Sequence, residues 1–235
     1  MLTLRDHNVE DYAALPDMDA TDVAVLDNAD RACLDELGDY LVATDAWRRF
    51  AIWLLHKHFD PEAGEVFAES LVTAPRGTQT TPVARGAAPD LNATSMRFDT
   101  GVTAGVGLIG MEFAGPADFG PTASVGPADE AVLCGIAERL RAHGKTERFG
   151  VRLIHDPLGL SHDEVLVETC DIALRTLHCS VGARKTVADT VETTWQWVPS
   201  LGKDGPTVHR YCTMVCSMDS SGAHFITGHT NYPDS

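Results

Sequence analysis

Two histidines, His56 and His58, stand one residue apart in RFAIWLLHKHFD, residues 49–60. Alternate residues of a β-strand share a face, so both imidazoles can be offered to one metal ion from a single strand. The stretch RFGVRLIHDPLG, residues 148–159, repeats the phrase and keeps His155, while Pro157 takes the place of His58. Two carboxylates recur at the same spacing: Glu65 with Glu164, and Glu69 with Glu168. Imidazole and carboxylate together bind zinc or non-haem iron, and they also serve as acid and base in hydrolase and lyase chemistry.

A second group of ligand-type residues closes the chain. HRYCTMVCSMDSSGAHFITGHTNY, 209–232, carries Cys212, Cys216, His224 and His229. Thiolate and imidazole suit a tetrahedral zinc site. The spacing is not that of a zinc finger, because two cysteines with three residues between them on a β-strand do not converge as a C-x2-C knuckle does. Cys216 across a turn from His224 is also a possible nucleophile–base pair.

What would position these groups is a repeat. With a shift of 99 residues, 29–70 lies on 128–169 without a gap, and 13 of the 42 pairs are identical, including Asp30/Asp129, Arg49/Arg148, His56/His155, Glu65/Glu164 and Glu69/Glu168. Such self-similarity predicts a tandem duplication packed about a pseudo-twofold axis. Each copy places apolar residues at helical spacing (Cys33, Leu34, Leu37, Tyr40 and Leu41; then Val132, Leu133, Ile136, Ala137 and Leu140), followed by two β-like runs, 49–58 with 65–73 and 148–156 with 164–174. Further strands are expected at Val23–Leu26, 93–99, 106–113, 190–198, 207–217 and 223–229. The expected fold class is therefore α+β, a β-α-β-β-β-like module used twice, with antiparallel sheets and helices on one side. The expected boundaries are an arm at 1–20, module 1 at 21–113, a Gly/Pro linker at 114–127, and module 2 at 128–235 ending in a β-hairpin. Residues 74–92 are expected to be a lid or binding loop. Paired modules of this layout resemble the vicinal-oxygen-chelate superfamily, which holds a metal between them. That family's ligands lie at other strand positions, so none is carried over to this chain.

If the two β-like runs of each copy form a hairpin with a four-residue loop, His56 faces Glu65 and Ile52 faces Glu69, while His155 faces Glu164 and Val151 faces Glu168. A twofold would then bring both faces to a shared cleft. There His56, His155, Glu69 and Glu168 are the candidate catalytic groups, and His56, His58, His155, Glu65 and Glu164 the candidate ligands of a divalent metal, zinc or iron. The plainer alternative is that each His–Glu pair braces its hairpin, with Arg49, Arg148, Arg76 or Arg175 meeting the distal glutamate.

Composition narrows the function. The net charge is -16 with only four lysines, which disfavours nucleic acid and anionic membranes. No apolar run approaches a membrane span. The acidic start is unlike a secretory signal, so a cytoplasmic location is expected, with the six cysteines reduced. Phosphate-loop and dinucleotide motifs are absent, and no nucleotide cofactor is expected. The leading expectation is a small-molecule enzyme, metal-dependent, with hydrolase, lyase and oxygenase chemistry open. The alternatives are a non-catalytic small-molecule binding protein and an interaction protein with an acidic surface.

Overall fold

A computed structural model describes residues 1–18, 23–102, 104–119, 124–154, 157–186, 190–202 and 205–217. The chain runs β1 (Leu2–Asp6), α1 (Val9–Ala13), α2 (Asn28–Ala43), β2 (Phe50–Leu54), β3 (Glu65–Thr73), β4 (Arg76–Ala84), β5 (Asn92–Phe98), β6 (Val106–Ala114), α3 (Pro116–Phe119), α4 (Glu130–Ala142), β7 (Phe149–Leu153), β8 (Glu164–Asp171), β9 (Thr176–Ala183), β10 (Thr190–Gly202) and β11 (Gly205–Ser217).

The strands follow one another around a ring, β6-β3-β4-β9-β8-β11-β10-β2-β7-β5, and β5 pairs back onto β6. This is a closed ten-stranded β-barrel with β1 added outside on β6, and it overturns the expected α+β pair of modules with helices on one side. The expected hairpins do not form either. β2 pairs with β7 and β10, while β3 pairs with β4 and β6. So Ile52 faces Val151 rather than Glu69, and Glu65 lies opposite Ala84 rather than His56. The physical reason is that β2 is apolar on both faces and is buried throughout, so it becomes an interior stave of a closed sheet. Residues 74–92 are no lid: Arg76–Ala84 is a full strand paired along its length with β3. Val23–Leu26 is not a strand. The expected strand at 223–229 lies outside the described residues.

The ring reads the same when each strand is exchanged for its counterpart in the other half of the chain. The registers agree with this exchange. Gln79 pairs with His178 and Ile52 with Val151, each residue opposite the one 99 positions away. Exchanging the halves maps each of these pairs onto itself. The bulges match as well, at Thr94 in β5 and Thr193 in β10. Each bulge turns two neighbouring side chains towards the lumen.

Helix α2 begins in a capping box between Asp27 and Asp30. It buries Cys33, Leu34, Leu37 and Leu41, while α4 buries Leu133, Ile136, Ala137 and Leu140. The two helices pack together outside the barrel, and one apolar cluster joins them to Phe50, Ile52, Leu54, Phe149, Val151, Trp195 and Trp197. The alternate residues of the same strands, among them Ala51, Trp53, Arg152 and Thr194, face the lumen. Because β2 and β7 are antiparallel, the loops that follow them lie at opposite ends of the barrel. Helix α1 stops the end beneath the β2 loop: Tyr12 and Leu15 pack on Trp53, Leu55 and Phe67, and Lys57 N–H donates to Pro16 O. Among the described residues the second half shows no such segment, and those at the offset of α1 belong to β6.

Candidate metal centre

At the end stopped by α1, four ligand-type side chains converge from three parts of the chain. His56 and His58 come from the loop after β2, Glu168 from β8 and Cys216 from β11. The last two are register partners on parallel neighbouring strands, which sets their side chains beside each other. The four ligand atoms lie within 4.8 Å of one another. Nε2 of His56 is 3.9 Å from the Cys216 sulfur, and Nε2 of His58 is 3.9 Å from Oε1 of Glu168. A tetrahedral zinc with bonds of 2.0–2.3 Å needs donor separations of roughly 3.3–3.6 Å. The two 3.9 Å pairs need to close by a few tenths of an ångström, and the widest separation, at most 4.8 Å, by up to about an ångström.

The surroundings orient these donors. Nδ1 of His56 lies 2.8 Å from Leu54 O. With the proton on Nδ1, that bond leaves Nε2 as the coordinating nitrogen, an arrangement typical of metal-bound imidazoles. The bulged Thr193 donates its hydroxyl to Oε2 of Glu168 at 2.9 Å, leaving Oε1 turned to His58. Cys170 donates its thiol to the backbone carbonyl of His58 at 3.7 Å. Burial is nearly complete: His56 and Cys216 are 0% exposed, Glu168 is 2%, and the His58 side chain is 4%. Burial, with Glu168 alongside, pushes the Cys216 thiol well above its usual range. Burial also pushes the Glu168 carboxyl up, against the lowering effect of His56.

At the matching positions of the other half the chemistry differs. Glu69, the counterpart of Glu168, accepts from Arg152 Nη2 at 2.7 Å. The other guanidinium nitrogen of Arg152 donates to Glu112 at 2.5 Å and to the Ser95 hydroxyl at 2.7 Å. Glu112 and Arg152 have Met214 and Trp53 as counterparts, so this polar network exists on one side of the dyad only.

The expected site residues thus separate. The structure gathers His56, His58 and Glu168, and adds Cys216 from the second cluster. It does not bring Glu65 or Glu164 to them: Glu65 is held by Arg175 at 2.5 Å, and Glu164 by Arg76. Glu69 belongs to the Arg152 network. Cys212 donates its thiol to Met214 O at 2.9 Å and is not one of the four. His155, His224 and His229 lie outside the described residues. The union of His56–His58 with Cys216 was missed because nothing local in sequence tells that the loop after β2 folds over β11. The bulge at Thr193 left no sequence signal beyond a Thr-Thr pair.

No protein-family model, curated protein or solved structure matches this chain. Among the described residues, no helix is long and apolar enough to cross a membrane.

Proposed function

We propose that this protein is a metal-binding β-barrel whose centre takes one zinc ion through His56, His58, Glu168 and Cys216. The observation that carries this reading is the convergence of four buried ligand-type side chains on one point. Keeping a buried carboxylate ionised is costly without a cation to balance it. His56, His58 and Glu168 also make up the two-histidine, one-carboxylate set that ferrous oxygenases use. Two features favour zinc instead: the fourth donor is a sulfur, and four protein ligands leave no open position for oxygen or substrate. The ion would tie the β2 loop to β8 and β11 and so complete the stopped end of the barrel. The repeated registers and bulges support descent from two fused half-barrels, of which only one kept this ligand set.

Metal analysis of the purified chain tests the reading. One equivalent of zinc is expected, falling below a tenth of an equivalent in His58→Ala and in Cys216→Ser. A chain that is metal-free and takes up neither zinc nor ferrous ion when titrated leaves the four residues a hydrogen-bonded cluster and sinks the proposal. Iron in place of zinc shifts it to the oxygenase reading.

A further inference from the structure

The opposite end of the barrel holds a cavity of about 180 Å³. Leu153, Leu158, Leu160, Leu166 and Met214 line its walls, and Glu69, Thr78, Arg152 and Thr194 lie at its polar side. None of the four metal-site residues lines it. A cavity near 150 Å³ accepts a molecule the size of benzene, so this one takes a ligand of about six to eight non-hydrogen atoms.

Glu164, His162 and Arg184 also line the cavity, and the uneven charge lies deeper, around Arg152. Arg152 is the one cation in a buried network with two carboxylates, Glu69 and Glu112, and its guanidinium is already committed to both and to Ser95. An anionic ligand drawn to Arg152 would have to displace one of these carboxylates and lie beside it, while Arg184, the other guanidinium of the lining, donates to Glu164 O at 3.0 Å. A cation would supply the charge that the network lacks. The hydroxyl of Thr78 gives a second, independent sign. Thr78 is 4% exposed and lines the cavity, and its Oγ1 makes no hydrogen bond of normal geometry. Burial raises the Glu69 carboxyl overall, and Arg152 and the neighbouring Thr78 hydroxyl act against that rise. A buried hydroxyl in that condition has hydrogen-bonding capacity left for a ligand or a water.

We infer that this cavity binds a small organic cation, a primary ammonium with a compact apolar body, whose N–H groups donate to Glu69 and Thr78 while its hydrocarbon lies along Leu153, Leu166 and Met214. An ammonium offers three donors and no acceptor, which matches a carboxylate and a hydroxyl placed side by side. The net charge of -16 favours the approach of cations. The site is independent of the metal reading, since it shares no residue with that centre.

The test is titration calorimetry on the full chain with cyclohexylamine, cyclohexanol and cyclohexanecarboxylate, which hold the body constant and vary the charge. The amine is expected to bind at least tenfold tighter than the alcohol, with no heat from the carboxylate. Glu69→Gln is expected to remove the amine's preference over the alcohol. That variant disturbs Arg152 as well, so Thr213→Lys serves as the second. Thr213 lies on the half-exposed wall of the cavity, and a lysine there delivers a tethered ammonium that abolishes amine binding in a protein that stays folded. Tighter binding of the carboxylate would show that a guanidinium, Arg152 or Arg184, is the anchor and would overturn the inference. Equal binding of amine and alcohol, or amine affinity unchanged in Thr213→Lys, would overturn it too.

Discussion

The guanidinium of Arg49 grips the carboxylate of Asp129 with two bonds, 2.5 and 2.8 Å, across the join between the halves of the barrel. The same pair recurs in mirror sense: Arg148 lies 2.9 Å from Asp30. Glu65 with Arg175 and Glu164 with Arg76 make a second reciprocal set. Several of the charged identities in the repeat are therefore half of an ion pair whose other half lies in the opposite copy.

This predicts measurable coupling between Arg49 and Asp129. Asp129 also accepts from Gly126 N–H at 2.8 Å, so Asp129→Asn loses more than Arg49→Gln. The Arg49 side chain is 35% exposed, which moderates the loss. Each single change is expected to cost about 1–2 kcal/mol in urea unfolding. The double variant should cost less than the sum by about 1 kcal/mol. Strict additivity would mean that the contact contributes nothing of its own.

Acid should loosen the barrel through the same contacts. The hydrogen bond from Arg76 holds the Glu164 carboxyl at about 2, and the one from Arg175 lowers Glu65. For Asp129, burial acts upward, but the bonds from Arg49 and Gly126 outweigh it and the net shift is down. A carboxyl depressed in the folded state stabilises it above the unfolded value, near 4, and that contribution is lost as pH falls. Glu69 and Glu168 are raised by burial and act in the opposite direction. The urea midpoint is expected to fall from about pH 4.5 to pH 2, and the slope should flatten in Arg76→Gln. An unchanged slope in that variant would remove Glu164 from the account.

Much of the secondary structure was legible because periodicity is local. The helix stripes at Cys33–Leu41 and Leu133–Leu140 and the runs that became β3, β6 and β11 announced themselves. β4 and β9 did not: RGTQTTPVA carries Gly, Pro and a run of polar residues, yet it pairs on both sides because its Thr78 and Thr80 face a polar lumen. Barrel closure was illegible for a related reason. Apolar faces on β2 and β7 say that both sides are covered, and they do not say whether by a second sheet or by the far wall of the same one. His56 and Glu168 could be named from the repeat, but their meeting depends on β11 lying beside β8, a contact made late in the chain.

Metal uptake should release protons. In the metal-free chain, burial keeps the Cys216 sulfur protonated at neutral pH, and ligation requires the thiolate. Zinc binding is therefore expected to tighten as pH rises from 6 to 8. At least one proton should be released per ion, read by calorimetry in buffers of differing ionisation enthalpy. Cys216→Ser should both weaken binding and lower the proton count. Binding independent of pH across that range would place the sulfur outside the ligand set.

The helix–barrel interface offers a test in which two opposing effects can be weighed. Gly38 sits mid-helix in α2, where replacing glycine by alanine ordinarily stabilises by about 1 kcal/mol. Here a Cβ would lie 2.2 Å from Nε1 of Trp197, a fully buried side chain. At the corresponding places in the other half stand Ala137 and Phe98, so alanine accompanies the smaller ring and glycine the larger. Overpacking of this kind costs about 1–3 kcal/mol, which exceeds the gain in helix propensity. Gly38→Ala is therefore expected to lower the thermal midpoint despite that gain. Trp197→Phe alone should lower it too, by leaving a void beside the glycine. Together the two changes rebuild the pairing of the other half, and the double variant should melt above either single one. If it melts at or below the worse of the two, the ring of Trp197 and the groove at Gly38 are not matched in volume, and the close approach of α2 to β10 needs another cause.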